Sequence, residues 1–392
     1  MPVYPGSKHL KYVSRRNLKS FKPHYRESYS LKTEARFPLE MSYHYMQLPR
    51  EVIVGKGTLS RVTEVTRRLS LTKSALILAG PKSCKIAGNS VLKQLEQESM
   101  VVDSIVVETA SMKDVLSAEE KIKEFKPEVV IAVGGGTKID AAKLSSAHQG
   151  IPFISVPTAL SHDGIASPLA SVRGFDKPYS IMAQAPLAII ADTSVISKAP
   201  KQSVISGYGD VIAKLTAVRD WKLAHDEKNE YLGEYAASLA LMSAKLVLQN
   251  TELIKRRKEE GLRVLLEALV SCGVAMSIAG SSRPCSGSEH MFSHALDAVR
   301  NNGTLHGEQC GVGTILMAYL HNANWKRIRD ALKKVGAPTT ARELDTKDED
   351  IVRALEMAVS IRPDRYTILQ KLNMSYDSCE KVAKATGVIG KR

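Results

Sequence analysis

Five short apolar runs rich in β-branched residues constrain the fold of this 392-residue chain more than any other feature. They span residues 51–54, 75–79, 101–107, 129–133 and 153–156, and amphipathic segments separate them. A connection between two parallel strands needs about a dozen residues or more, and these segments are long enough to provide one. Strands that are apolar almost throughout are typical of a sheet covered on both faces. The runs therefore predict a parallel α/β sheet that ends near Ile189 and Ile190.

The sequence changes character after Pro200. Residues 203–258 and 262–280 are rich in Ala, Leu, Lys and Glu and predict long helices, and shorter helices are predicted over 288–301, 307–323, 326–335 and 348–360. We therefore expect a Rossmann-like, nucleotide-binding α/β domain over residues 41–197 and an all-α domain over residues 198–392. A cofactor and its substrate are expected to bind in the cleft between two such domains.

The positive charge is concentrated at the start of the chain. The formal net charge is +14, and residues 1–40 contribute +6 through nine Lys or Arg and three Glu. A basic, aromatic-containing segment could touch nucleic acid or an anionic lipid surface. We expect instead a disordered or dispensable extension, or translated sequence upstream of a true start at Met41. No nucleic acid is expected as a partner, because the body of the chain has no helix-turn-helix, zinc-finger or RRM-type motif.

Cysteine usage and hydropathy indicate a compartment. The five cysteines are scattered and include no CxxC pair, which argues against a disulfide framework or a four-cysteine zinc site. We find no apolar run approaching the roughly 20 residues that cross a bilayer and no signal-peptide core. The expectation is a cytoplasmic protein without stable membrane insertion.

Two turns follow neighbouring apolar runs. The first is the triple glycine Gly134-Gly135-Gly136 before a helical segment, which either binds phosphate through backbone N–H groups and a helix N-terminus or is simply a tight turn. The second is the segment 157–164, with Thr158, Ser161 and Asp163. Each of these three side chains alone could be a turn cap. Because ligands gather at the carboxyl ends of parallel strands, both turns are expected to line one crevice.

The second apolar run bears on cofactor preference. NAD-selective sites usually carry an acid after this strand, which binds the ribose 2′-hydroxyl. Here Gly80-Pro81 follows instead, with lysines at positions 82 and 85. This composition tolerates a 2′-phosphate, so use of both NAD(H) and NADP(H) is expected.

The helical half contains potential metal ligands. His290 and His294 are spaced i, i+4 and share a helix face, and His306 follows a loop. Two imidazoles and a carboxylate with one open position suit catalytic zinc. Asp210 could supply the carboxylate or be a helix N-cap. Cys310 is a rival ligand, although a small buried thiol is the more common role.

Five motifs in order resemble one family: GGGTKIDAAK, PTALSHDGIASP, GYGDVIAK, SSRPCSGSEHMFSHALD and LHGEQCGVG. Together they resemble the archaeal sn-glycerol-1-phosphate dehydrogenase family of the iron-containing alcohol dehydrogenase and dehydroquinate synthase superfamily. The resemblance covers about residues 45–390 and implies a Rossmann-like domain followed by a helical metal- and substrate-binding domain. Residues 1–40 have no counterpart in the family pattern.

The resemblance also implies roles for individual residues. Asp210, His290 and His306 would be the catalytic ligands of one Zn²⁺ per subunit, and Asp163, Asp210 and His294 would contact substrate. The implied nucleotide contacts come from both turns and a following serine: Gly134, Gly135, Gly136, Thr137, Lys138, Ile139, Asp140, Thr158, Ala159, Leu160, Ser161 and Ser167.

The implied reaction interconverts dihydroxyacetone phosphate and sn-glycerol 1-phosphate, which provides the backbone of archaeal ether lipids. Zinc would act as a Lewis acid on the C2 oxygen while nicotinamide exchanges the hydride. A homo-oligomer is expected. Donors for the substrate phosphate are sought just before the His290 helix, at Ser281, Ser282, Arg283 and Ser286, although Arg283 could instead pair with a surface acid.

Two alternative functions stay open on sequence grounds. A polyol dehydrogenase of the same superfamily would keep the hydride chemistry without recognising phosphate. A dehydroquinate synthase would use NAD only transiently, although its glycine turn normally continues differently from GGGTKIDAAK.

Overall fold

The computed structural model describes residues 44–172, 179–300 and 304–390, and the predicted extension over residues 1–40 lies outside them. Within these ranges a six-stranded sheet has the order β1-β8-β5-β4-β2-β3, and all its paired strands are parallel. Its strands are β1 Glu51–Gly55, β2 Ser74–Ala79, β3 Val101–Val106, β4 Val129–Gly134, β5 Phe153–Pro157 and β8 Ala188–Asp192. The predicted parallel α/β sheet is confirmed.

Helices cover both faces of this sheet. They are α1 Val62–Arg68, α2 Asn89–Gln97, α3 Met112–Phe125 and α4 Gly136–His148. Side chains of β4 alternate between two cores, so that Ile131 packs with the α1 and α2 side while Val130 packs with the α3 and α4 side. The prediction of strands buried on both faces holds for β4 but is wrong for β3, which forms the sheet edge and leaves Val101 and Val106 exposed.

The strand order creates a crevice in the sheet. From β2 the chain passes outward to β3 and then returns to β4 on the other side of β2. At such a reversal the connections leave the carboxyl ends of the two inner strands in opposite directions, which opens a space above them. The segments that follow β2 and β4 border this space.

An antiparallel hairpin was not anticipated from the sequence. It consists of β6 Leu169–Val172 and β7 Tyr179–Met182, inserted between β5 and β8. These four-residue strands are too short for the apolar runs by which the larger sheet was identified. The hairpin is attached to α4, because the ammonium group of Lys143 donates a hydrogen bond of 2.6 Å to the carbonyl of Leu169.

The second half of the described chain is helical, as predicted, but more finely divided. The predicted helix over 203–258 is broken where Asn229 adopts a left-handed backbone conformation and again near Asn250. No helix was predicted beyond residue 360, yet two are found, the short Ile368–Leu372 and the longer Tyr376–Ala385. The helices of ten or more residues are α5 Lys201–Ile212, α6 Lys214–Lys228, α7 Glu234–Gln249, α8 Glu259–Ala279, α9 Ser288–Arg300, α10 His306–Leu320, α11 Trp325–Val335, α12 Asp348–Met357 and α13 Tyr376–Ala385.

Helix α8 corrects one expectation from the sequence. By length and composition alone it is apolar enough to cross a membrane, so the expectation that no segment approaches this length was wrong. Most of its window is buried, and residues such as Leu265 and Leu269 are fully enclosed by neighbouring helices. This burial is that of a core helix, because a membrane-spanning helix would present apolar side chains outward.

Candidate active site

The segments after β2 and β4 enclose a cavity of about 420 Å³ at the crevice of the sheet. Its walls include Gly80–Ser83 after β2, Gly135, Thr137 and Lys138 after β4, and Thr158 with Ala159 after β5. Residues Gly134 and Pro157 are register partners, and the N–H of Thr158 donates to the carbonyl of Gly134 at 3.0 Å. The expectation that both turns line one crevice is therefore confirmed.

The glycine turn leads directly into the N-terminus of α4. Gly135 is the N-cap residue and provides no side-chain cap, so the first N–H groups of the helix are available to an anionic ligand. Gly136 is sterically required, because a Cβ atom there would lie 1.8 Å from Nε2 of His162. The turn thus combines two features of a phosphate-binding site, namely an uncapped helix N-terminus and residues without side chains.

A second cavity of about 370 Å³ lies beside the first, and Thr137 lines both. Its walls carry Asp163 from the turn after β5, His290 and His294 from α9, and His306 from the start of α10. Side chains from both halves of the chain therefore meet next to the cofactor crevice, as expected for an active site between them.

A buried lysine joins two carboxylates at this cavity. Nζ of Lys214 lies 2.8 Å from Oδ2 of Asp163 and 2.9 Å from Oδ1 of Asp210, and its side chain is fully buried. Burial would lower the pKa of Lys214, but the two carboxylates raise it above its usual value. Burial raises the pKa of Asp163, as does the nearby Asp210.

Asp210 is the more strongly ionised of the two acids. Burial alone would raise its pKa, but the charges of Lys214 and His290 lower it well below the usual range. Its second oxygen accepts a hydrogen bond of 2.9 Å from the backbone N–H of Asp163. Its first oxygen lies 3.4 Å from Nε2 of His290, so a charged carboxylate oxygen faces an imidazole nitrogen.

The orientation of His290 is fixed by the preceding residue. Oε1 of the buried Glu289 accepts a hydrogen bond of 2.7 Å from Nδ1 of His290, and its other oxygen accepts one from the hydroxyl of Thr216. Because a carboxylate accepts but does not donate, the proton of a neutral His290 ring resides on Nδ1. Burial alone would lower the pKa of His290, but Cys310 and the carboxylates of Asp210 and Glu289 raise it, so without a metal ion Nε2 carries a proton that faces Asp210. A metal ion at this position would take the place of that proton.

His306 is oriented in the same way. The hydroxyl of Ser293 donates to Oε1 of Gln309 at 2.6 Å and therefore accepts from Nδ1 of His306 at 3.1 Å. This leaves Nε2 of His306 as the free nitrogen, 3.5 Å from Sγ of Cys310. Burial lowers the pKa of His306, and the neighbouring His290 lowers it further, so the ring is neutral.

These donors fit a metal ion. Ligand atoms of His290, His306 and Cys310 lie within 4.8 Å of one another, and Asp210 adjoins His290. Two neutral imidazoles and a carboxylate form the donor set of catalytic zinc. Cys310 is fully buried, and in the metal-free protein burial raises the pKa of its thiol.

Close helix packing brings Asp210 to the histidines. A Cβ atom at Gly209 would lie 2.1 Å from the carbonyl oxygen of Gly307, and one at Gly307 would lie 1.8 Å from that of Ser206. Helices α5 and α10 can therefore approach each other only with glycine at both positions. Gly209 and Gly307 therefore allow the close helix packing that places the adjacent Asp210 and His306 near each other.

His294 faces the cavity in a different state from His290. Its Nδ1 is buried and has no hydrogen-bond partner among the described residues. Burial lowers the pKa of His294 to about 3, with a further contribution from the positive charge of Arg362. A neutral ring with an unpartnered nitrogen is suited to a hydrogen bond with a bound molecule.

Comparison with known proteins identifies the family. The sequence pattern of the iron-containing alcohol dehydrogenase family matches residues 53–200. The glycerol-1-phosphate dehydrogenase [NAD(P)+] of Pyrococcus abyssi is 53% identical over 88% of this chain and its own full length. That of Methanosarcina mazei is also 53% identical, over 89% of this chain and 98% of its own. The chain belongs to the glycerol-1-phosphate dehydrogenase family.

Membership of the glycerol-1-phosphate dehydrogenase family agrees with a structural comparison. The crystal structure of glycerol dehydrogenase from Schizosaccharomyces pombe has a TM-score of 0.72 and 22% identity, and covers 88% of this chain and 91% of its own. At this identity the match shows a common fold. The family and the two-part fold inferred from the sequence motifs are both confirmed.

The structure gathers most of the family motif residues at the two cavities. Those that line the cavities are Gly135, Thr137, Lys138, Asp140, Thr158, Ala159, Ser161, Asp163, Ser167, His290, His294 and His306. Gly134 and Gly136 form the turn itself. Ile139 and Leu160 are fully buried in the apolar core and line neither cavity. Asp210 lies near the end of α5, so the alternative of an N-cap is wrong.

The structure corrects the expectation for Arg283 and adds Lys214 and Glu289 to the site. Arg283 is buried and paired with Glu230, and it also donates to the carbonyl of Tyr366, so it does not reach the cavity. Lys214 and Glu289 were not recognised as part of the site. The i, i+4 spacing of Lys214 after Asp210 could have revealed the lysine, whereas no local pattern marks Glu289 as the partner of its neighbour.

Proposed function

We propose that this protein is an oxidoreductase that interconverts dihydroxyacetone phosphate and sn-glycerol 1-phosphate with NAD(H) or NADP(H). The observation that carries the proposal is the meeting of His290 and His306, with Asp210 directly behind His290, at a cavity that shares Thr137 with the cofactor crevice. A hydride can pass between two molecules only when they are in contact, and adjoining cavities allow this. The names of the close relatives support the same substrate.

We assign one zinc ion per subunit to Asp210, His290 and His306. A bound zinc ion supplies Lewis acidity that stabilises negative charge on the C2 oxygen. Glu289 and Ser293 hold the two imidazoles through Nδ1, and Lys214 holds the Asp210 carboxylate in place. The metal ligands are therefore oriented by the chain itself.

Asp163 and His294 are assigned to the substrate. The neutral His294 ring can hydrogen-bond a substrate hydroxyl through its unpartnered nitrogen. Asp163 is anchored by Lys214 at 2.8 Å and can fix which face of C2 meets the nicotinamide. The two residues lie on opposite halves of the chain, so both halves would orient one small molecule.

Nucleotide binding is assigned to the crevice of the sheet. The N-terminus of α4 would hold the pyrophosphate; Thr158 and Ala159 line the same cavity, and Ser161 lines the adjoining one. Ile139 and Leu160, which the family resemblance also implies, would act through their backbone or by packing, because their side chains are buried.

Chiral analysis of the reduction product tests this function. Purified protein is supplied with dihydroxyacetone phosphate and NADPH, absorbance is followed at 340 nm, and the product is analysed for configuration. Steady oxidation of NADPH with formation of sn-glycerol 1-phosphate is expected. Formation of the sn-3 enantiomer contradicts the assignment, and an unchanged cofactor after product formation indicates a synthase that uses NAD transiently.

Comparison of glycerol with glycerol 1-phosphate separates the second candidate. A polyol dehydrogenase would oxidise both at similar rates, whereas the proposed enzyme requires the phosphate group. The fold shared with glycerol dehydrogenase is the observation that keeps this candidate in view.

Assembly, location and pathway are further proposals. We propose a cytoplasmic homo-oligomer whose product supplies the glycerophosphate backbone of ether lipids. The exposed side chains Tyr235, Met242 and Leu246 lie on one face of α7 and suit an interface between copies. Light scattering after size-exclusion chromatography tests the assembly, and a monomer would contradict it.

A further inference from the structure

We propose that Arg362 binds the phosphate group of the substrate, together with the hydroxyls of Ser282 and Ser286. The inference rests on the proposed function, because it names the group that distinguishes a phosphorylated triose from a plain polyol. On sequence grounds Arg283 was the arginine expected to bind the phosphate. The residue proposed here, Arg362, lies 79 residues further along the chain.

The composition of the cavity wall singles out Arg362. Arg362 lines the second cavity, the one that also contains His290, His294 and His306. Among the described residues that line this cavity, it is the one Lys or Arg. A phosphate dianion bound there needs a permanent positive charge besides any metal ion, because its desolvation is otherwise uncompensated. Arginine is also the side chain that matches phosphate geometry through two parallel N–H groups.

The location of Arg362 is suitable for a substrate that spans the cavity. Ser282 and Ser286 line the same wall, and Nη1 of Arg362 donates to the hydroxyl of Ser282 at 3.3 Å. His294 lines the same cavity as Arg362. One molecule bound in this cavity can therefore contact both side chains.

A second arginine makes this wall rigid. Arg365 is buried and donates to the hydroxyl of Ser282 at 2.8 Å and to the carbonyl of Ser286 at 2.6 Å. It thus ties the loop before α9 to the segment that carries Arg362. Donors held in place before binding lose little conformational freedom when an anion arrives.

Three acids also line the cavity, and two of them are paired with lysines. Each accepts a hydrogen bond from a neighbouring side chain: Asp140 from Lys143, Asp163 from Lys214, and Asp297 from Gln309. Two of the three are thereby paired with lysines, so their negative charge is largely compensated within the protein. Arg283 forms an ion pair with Glu230 and does not line the cavity.

The test compares two substrates that differ only in the phosphate group. Reduction of dihydroxyacetone phosphate and of dihydroxyacetone is measured for wild type, Arg362→Met, Arg362→Lys and the control Arg353→Met, whose side chain is exposed on α12. For Arg362→Met we expect kcat/KM to fall about 100-fold with the phosphorylated substrate and to change little with dihydroxyacetone. Arg362→Lys should lose about tenfold, because it keeps the charge but not the paired N–H groups.

Inorganic phosphate provides a second readout. It should compete with dihydroxyacetone phosphate in the wild type and in Arg353→Met, and at least tenfold less well in Arg362→Met. If Arg362→Met does not fold, the same phosphate competition is measured in Arg362→Lys. Inhibition by phosphate equal to that of the wild type would then contradict the proposal.

The two hypotheses fail in different ways. If the wild type does not prefer dihydroxyacetone phosphate, the proposed function is wrong. If the wild type has this preference and Arg362→Met retains it undiminished, the function stands and the assignment of Arg362 is overturned.

Discussion

Oε1 of Glu289 lies 2.7 Å from Nδ1 of His290, on the side of the ring opposite Asp210. The same oxygen accepts from the backbone N–H of Gly287, and the other oxygen accepts from Thr216. Glu289 is fully buried and therefore rigid. A carboxylate in this position sets the tautomer of a metal-binding histidine and raises its basicity.

Replacement of Glu289 by glutamine should weaken zinc binding. The amide can still accept a hydrogen bond but lacks the negative charge that makes Nε2 of His290 a stronger donor to the metal. We expect the zinc Kd to rise about 10- to 100-fold, the range typical of such outer partners. Competition with a chromophoric chelator measures it. Glu260→Gln, at an exposed position on α8, is the control, and equal affinities of the two variants would contradict the role of Glu289.

Zinc content should distinguish the two ligand sets that the structure brings together. His290 and His306 belong to both, and the third ligand is either Asp210 or Cys310. We expect Asp210→Asn to lose most of its zinc, whereas Cys310→Ser keeps about one zinc per subunit. The double variant Asp210→Asn/His306→Ala should bind none. Normal zinc in that double variant, measured by elemental analysis, would rule out the proposed ligands.

The sequence predicted the fold correctly where a recognisable pattern of residue types recurs along the chain. Apolar runs at regular intervals located six strands, and the order strand, glycine turn, helix located the cofactor crevice. The hairpin over 169–182 escaped because its strands of four residues are shorter than any pattern of alternation can establish. The break at Asn229 escaped because a single residue in a left-handed conformation ends a helix without a change in composition.

The site itself was predictable only in part. The family motifs named His290, His306 and Asp210, since each lies in a contiguous stretch of sequence. Arg362 and Arg283 show why the rest was not. Only the fold reveals that Arg283 is paired with Glu230 while Arg362 lines the cavity. Contacts between residues far apart in sequence decide which of two similar side chains lines the cavity.

Removal of the Lys214 charge should destabilise the protein. Lys214→Met leaves Asp163 and Asp210 buried without the ammonium that lies within 2.9 Å of both. Breaking a buried pair in this way typically costs about 3–5 kcal/mol. Urea denaturation of the metal-free protein measures the loss, with Lys222→Met at an exposed position of α6 as the control. Equal unfolding free energies in the two variants would show that the network does not stabilise the fold.

Lys82 and Lys85 both follow β2, but they differ in their position relative to the cofactor crevice. Lys82 lines the cofactor cavity, and Lys85, although also exposed, is not among the residues that line it. We expect Lys82→Ala to raise KM for NADPH about fivefold, as an exposed ion pair of about 1 kcal/mol predicts, and to leave KM for NADH unchanged. Lys85→Ala should alter neither. An equal effect of Lys82→Ala on both cofactors would exclude contact with the 2′-phosphate.

The low pKa of His294 should make stability depend on pH. Burial and the charge of Arg362 lower this pKa from 6.5 to about 3, so below pH 6.5 the unfolded chain binds a proton that the folded chain does not. The stabilisation that neutral His294 provides is therefore complete above pH 6.5 and declines as the pH falls toward 3. Between pH 7.5 and 5 the free energy of unfolding of the metal-free wild type should drop up to about 2 kcal/mol more than that of His294→Gln. Parallel pH profiles for the two proteins in urea titrations would show that His294 is protonated in the folded state.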